Sequence, residues 1–116
     1  MSELGYLGIA EASGLIRNKK LSPVEYTKAL IARVERYDGR LNAFLRLTPD
    51  IALADAKRAE SEIVAGNWRG PLHGVPYGLK DIVDYAGLPT TAHSFILKDN
   101  VASADAFVTQ KLRAAG

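Results

Sequence analysis

The sequence contains no cysteine, which removes disulfide frameworks, thiolate nucleophiles, zinc–thiolate sites and iron–sulfur clusters together. That absence is compatible with a reducing compartment. A field of one sign is also missing: 15 Lys and Arg stand against 13 Asp and Glu, a formal net charge of +2, with both signs mixed along the chain. Binding to nucleic acid or to an anionic membrane is therefore without electrostatic support. No apolar run approaches the ~20 residues of a membrane-spanning helix. The opening Met-Ser-Glu-Leu-Gly-Tyr carries an acid where a signal peptide would be basic, so the expected location is cytoplasmic. Internal repeats, low-complexity tracts and linkers are lacking as well. What remains is 116 residues, 47% of them hydrophobic, the size of one ordinary soluble domain or part of one.

Residues 1–70 read as helical. The best-marked start is Ser22-Pro23-Val24-Glu25, where Ser22 can cap, Pro23 suits the first helical position, and Glu25 can complete a capping box. Tyr26, Leu30, Val34 and Tyr37 then recur at spacings of three and four, a single apolar stripe expected to end near Asp38-Gly39. An earlier helix is expected over Ile9 to Asn18, with Ile9, Ala12, Leu15 and Ile16 on its buried side and Lys19 and Lys20 at the negative pole of its dipole. Asn42 to Leu47 is a short apolar run whose length suits a strand. Thr48-Pro49-Asp50 opens an alanine-rich helix to about Ala65, in which Ala52, Ala56, Ala59 and Ile63 form a stripe opposite Lys57, Arg58, Glu60 and Glu62. Small residues on that stripe would let the helix sit close to a neighbour. A last helix is expected from near Ser103, carrying Ala106, Phe107, Val108 and Leu112 toward Gly116.

Between Gly66 and Pro89 glycine stands at 66, 70, 74, 78 and 87 and proline at 71, 76 and 89. Such density shapes loops around short strands, and Val75 to Val83 is the expected strand. If it is extended, Gly78, Lys80 and Ile82 share one face and Leu79 and Asp81 the other. Lys80 would then face away from Asp81 and lack an obligatory ion-pair partner, and burial would favour the neutral amine that a general base requires. The alternative is a surface strand with Lys80 solvated and Asp81 capping a turn.

This segment resembles the amidase signature family, serine hydrolases that cleave carboxamides with a serine–serine–lysine triad. The likeness lies in Gly70-x-Leu72-x-Gly74-Val75-Pro76-x-x-x-Lys80-Asp81. It extends to Ala86-Gly87-Leu88-Pro89-Thr90-Thr91, to Leu41-Asn42-Ala43-Phe44, and to Ala104-Asp105-Ala106 with Leu112-Arg113-Ala114-Ala115-Gly116. The resemblance implies an α/β fold in which helices flank a mixed β-sheet, with Lys80 on an inner strand. Residues 1–116 are then expected to be the N-terminal portion of a single amidase domain. It also implies that Lys80 is the catalytic base at the end of a Ser–cisSer–Lys triad, acting without metal or organic cofactor. The bridging serine, the nucleophile and the oxyanion donors would belong to a glycine- and serine-rich segment beyond Gly116, so these residues alone are expected to be inactive. Among the serines at hand, Ser22 and Ser103 read as helix caps, Ser61 lies on the polar side of the alanine-rich helix, and Ser94 stands outside any triad position. His93 departs from the family pattern, in which glycine is common between Thr-Thr-Ala and serine.

The implied partners are a small-molecule amide and the remainder of the amidase domain, with a homo-oligomer open and neither nucleic acid nor membrane bound directly. A second reading within the family is the amidase component of a tRNA-dependent amidotransferase, which releases ammonia from glutamine for a companion protein. Another class altogether is a truncated, non-catalytic interaction module. His73 and His93, with Asp81 and Asp84 nearby in sequence, lack metal-ligand spacing and read as loop histidines. The glycines lack both phosphate-loop patterns. Tyr26 and Tyr37 read as core residues, and Trp68 as a packing residue at a loop edge.

Overall fold

Ser22 sets where the longest helix begins. In the computed structural model, which describes residues 3–116, its Oγ accepts hydrogen bonds from the backbone N–H groups of Val24 (3.1 Å) and Glu25 (3.2 Å). Pro23, which has no N–H to leave unpaired, opens the helix α2, Pro23–Leu41. Replacing Ser22 by alanine orphans both donors and is expected to cost about 1 kcal/mol. The check is a lower urea midpoint with an unchanged denaturant slope.

Helix α2 passes through Gly39 and ends at Leu41, beyond the expected stop near Asp38-Gly39. The termination signal is Asn42, which takes a left-handed conformation (φ 50°, ψ 41°) and returns its N–H to the Asp38 carbonyl. Asp38 completes the end with its side chain, Oδ1 accepting from Ala43 N (2.7 Å) and Phe44 N (3.1 Å). Helix α1, Ile9–Arg17, matches its expected span, and Ala12 and Ile16 are buried. Ile9 is exposed, because the first helical residue precedes the turn that meets the core. Helix α3, Pro49–Val64, packs on α2 and buries Ala56, Ala59 and Ile63; the small side chains permit the close approach.

The chain divides into two compact units, one running to Pro76 and including Gly116, the other Tyr77–Ala115. The first unit has a core of Ala12, Ile16, Leu21, Tyr26 and Ile63, against which Leu15, Leu30, Trp68 and Val75 pack. Trp68 is the expected packing residue, and the Arg17 guanidinium lies 4.6 Å from its ring centroid.

The second unit holds helix α4, Phe107–Ala114, which is capped at Ala106 and not at Ser103. The residues ahead of it are committed elsewhere: Asp105 Oδ1 accepts from Ala86 N (2.8 Å), Ala106 N donates to the Asp84 carbonyl (3.0 Å), and Thr109 Oγ1 donates to the same carbonyl (2.7 Å). This anchoring buries Thr109 and leaves Phe107 and Val108 exposed.

The expected strands are not formed. Asn42–Leu47 is an exposed loop, and Val75–Val83 is irregular chain running into a turn. Among the described residues the only β-pairing is an isolated antiparallel bridge between Pro89 and Val101, so the helices of the expected α/β architecture are present and its mixed sheet is not. A segment becomes a strand only when a neighbour takes its backbone N–H and C=O groups, and no described segment does so here. No described helix is long and apolar enough to cross a membrane.

Candidate active site

Lys80 lies in the second unit, in the segment expected to be an inner strand, and is exposed. Its carbonyl accepts from Val83 N (3.0 Å), so Lys80 opens a tight turn with Asp81 and Ile82 at its centre. Among the described residues its ammonium forms no ion pair.

Asp81 turns its carboxylate to a different part of the chain. Oδ1 accepts from Thr91 N (2.9 Å), Oδ2 is hydrogen-bonded by the Thr91 hydroxyl, and His93 N stands 3.4 Å from Oδ2. The Asp81 carbonyl accepts from Ala92 N (2.8 Å). The hydrogen bonds from the Thr91 hydroxyl and then from its N–H hold the Asp81 carboxyl below the usual carboxylate range. The solvated lysine and turn-holding aspartate of the alternative reading are thus what the structure has, though no strand carries them.

The turn that Asp81 holds is itself unusual. Ala92 (φ 49°) and His93 (φ 54°) are both left-handed, and Ser94 N closes the turn on the Thr91 carbonyl at 2.8 Å. Two consecutive positive φ values suit glycine and cost other residues about 1–2 kcal/mol each. Position 93, where the resemblance makes glycine common, is one that favours glycine sterically. Ser94 Oγ accepts from Ile96 N (3.2 Å), and Ser61 is exposed on α3.

In the first unit the motif glycines have separate reasons. Gly70 (φ 139°) and Gly74 (φ 81°) both occupy positive φ. A Cβ on Gly74 would also lie 2.9 Å from Cγ of Pro23, so the chain can approach the start of α2 only without a side chain there.

His73 has a role that its sequence context does not reveal. It is a fully buried residue, not an ordinary loop histidine. Its Nδ1 accepts from Arg69 N (3.0 Å), which places the proton of the neutral ring on Nε2, 3.0 Å from Glu62 Oε2. Arg69 Nη2 holds the other carboxylate oxygen at 2.6 Å. Burial pushes the His73 pKa down, opposed by Glu62, and the Arg69 hydrogen bond holds the Glu62 carboxyl below its usual range. The available signal was the placement of one histidine between two motif glycines, Gly70 and Gly74. His93 is exposed, and its backbone N–H donates to the Thr91 hydroxyl oxygen (3.1 Å) and, at longer range, to Asp81 (3.4 Å). Among the described residues no three His, Asp or Glu side chains gather as a metal site.

The family model described as Amidase matches residues 25–116, which take in α3, α4 and nearly all of α2. The chain belongs to the amidase family. It is 44% identical over 114 residues to a glutamyl-tRNA(Gln) amidotransferase chain of Geobacter sulfurreducens, covering 98% of this chain and 23% of that protein. The native peptide amidase from Stenotrophomonas maltophilia superposes with a TM-score of 0.90 at 32% identity, over 98% of this chain and 24% of that one. A bacterial aryl acylamidase of the amidase signature family matches with a TM-score of 0.83 at 32% identity, over 89% of this chain and 21% of that one. The chain therefore has the fold of the matching part of these amidases, and spans less than a quarter of their length.

Proposed function

We propose that residues 1–116 form the N-terminal portion of a single amidase domain, which at full length hydrolyses a carboxylic amide to acid plus ammonia or amine, with Lys80 as its base. The observation that carries this reading is the family match through Gly70-x-Leu72-x-Gly74-Val75-Pro76-x-x-x-Lys80-Asp81, combined with an exposed lysine whose neighbouring carboxylate is engaged by Thr91. In the full-length protein a neutral Lys80 takes a proton through a bridging serine, which in turn activates a second serine to attack the amide carbonyl. Backbone N–H groups stabilise the oxyanion. The amine leaves with a proton returned along the same relay, and water releases the acid from the acyl-enzyme.

The mixed sheet belongs to this proposal. Phe44, Leu45, Leu47 and Ile82 are large and exposed along the two segments expected as strands, as suits extended chain awaiting neighbours. Covering the second segment would also remove water from Lys80.

A second reading, the amidase component of a tRNA-dependent amidotransferase, is favoured by the 44% identity to a chain of such an enzyme. The test is ammonia or amine release by the full-length protein from glutamine, primary carboxamides and anilides. Turnover of carboxamides or anilides by the protein alone supports the first reading. Release from glutamine only in a complex with copurifying proteins supports the second, and release from none of them, alone or in complex, overturns both.

A further inference from the structure

Two donors converge on one carboxylate directly beside the lysine. Thr91 N and the Thr91 hydroxyl both donate to Asp81, while His93 N donates to the Thr91 hydroxyl oxygen (3.1 Å) and reaches Asp81 only at 3.4 Å; an ionised carboxylate, which only accepts, is matched to the two. The backbone at the same place is held from two further sides: the Lys80 carbonyl by Val83 N (3.0 Å) and the Asp81 carbonyl by Ala92 N (2.8 Å). The peptide units flanking Lys80 on its C-terminal side are therefore fixed without any contact to the lysine side chain. The segment they are tied to is the left-handed turn at Ala92–His93, a conformation that non-glycine residues keep only when their surroundings enforce it. Asp81 supplies part of that enforcement, beside the bonds from Ser94 N to the Thr91 carbonyl (2.8 Å) and from His93 N to the Thr91 hydroxyl (3.1 Å).

We propose that Asp81 is a positioning residue for Lys80: by clamping the Thr91–His93 turn to the chain just after the lysine, its carboxylate fixes the direction from which the lysine side chain leaves the backbone. This rests on the reading of Lys80 as the base of the amidase reaction. The physical need is specific. Lysine carries a flexible four-carbon stem, and a base must sit within hydrogen-bond reach of the proton it takes. A frayed backbone beneath it would spread the amine over many positions, and misplacement by about 1 Å can cost ~10²-fold in rate. Because Asp81 does not itself touch the reacting atoms in this account, its loss lowers kcat and leaves substrate binding unchanged.

The test uses the full-length enzyme with whichever amide it turns over. Asp81→Ala is expected to lower kcat about 10–100-fold with KM within about threefold. Introduced into Lys80→Ala, the same change is expected to lower the residual rate by less than about twofold, since a residue acting only through Lys80 has nothing left to position. Asp81→Asn keeps a carbonyl for Thr91 N–H and an amide that can meet the hydroxyl, so it recovers most of the lost rate. A kcat for Asp81→Ala within about twofold of the parent, or an equal loss in the Lys80→Ala background, overturns the proposal. If Asp81→Ala fails to fold, Thr91→Val, which removes the hydroxyl that donates to Asp81 and accepts from His93 N, takes its place: a kcat loss absent from the Lys80→Ala background supports the clamp, and an unchanged kcat overturns it. Near-normal turnover by Lys80→Ala alone overturns the underlying reading as well. A dead Lys80→Ala beside a fully active Asp81→Ala overturns only the clamp.

Discussion

Lys80→Ala in the full-length protein is expected to lower kcat by about 10²–10⁴-fold, the range that a positioned proton-transfer group contributes. The direction follows from the relay: without an amine to receive the proton, the bridging serine cannot deprotonate the nucleophile, and the amide carbonyl is attacked only by a neutral hydroxyl. Lys80→Arg should fail almost as badly, because a guanidinium keeps its proton throughout the working range. Within residues 3–116 the lysine is exposed and makes no ion pair, so its removal breaks no contact there, and a stability measurement on the full-length protein separates a lost base from a lost fold. The measurement is kcat for amide hydrolysis beside the urea midpoint of both proteins, and near-normal turnover in Lys80→Ala would remove Lys80 from the mechanism.

Local signals were legible where the physics is local. Ser22 and Pro23 announce the start of α2 because capping involves only the next three residues, and the alanine stripe of α3 reads directly as its buried face. Signals that depend on distant partners were not. Asn42–Leu47 and Val75–Val83 have strand-like composition, yet a strand is a pairing, and no described segment pairs with either. Ser103 looks like a cap until the carbonyl of Asp84 claims Ala106 and Thr109 and moves the helix start. At the candidate site, the resemblance singled out Lys80 and flagged position 93. It did not show that Asp81 reaches ten residues forward to Thr91, since nothing in the spacing reveals a hydrogen bond closed by a left-handed turn. His73 was missed for the same reason: its carboxylate partner, Glu62, sits on the preceding helix.

His73→Ala is the substitution expected to cost the most stability, about 2–4 kcal/mol, from a buried cavity and the unpaired Arg69 N–H it leaves behind. Its pH signature identifies the cause. Burial lowers the folded-state pKa of His73 below the 6.5 it has when free, so as pH falls below 6.5 the unfolded chain binds a proton that the folded chain still refuses. Stability contributed by the neutral ring is therefore complete above 6.5, and declines with falling pH until the folded value is passed. The shifted carboxyls act in a lower window. Glu62 is held below 4.5, and Asp81 and Asp105 below 3.8, so their contributions begin to decline as pH approaches those free values and are gone once it has fallen through the depressed ones. Between pH 7 and 5 the slope belongs to His73, and it should flatten in His73→Ala. Urea midpoints at pH 7.5, 6 and 5 for parent and variant make the comparison. Parallel slopes would mean that another group takes up the proton, and that the bond from Arg69 N to Nδ1 survives acidification.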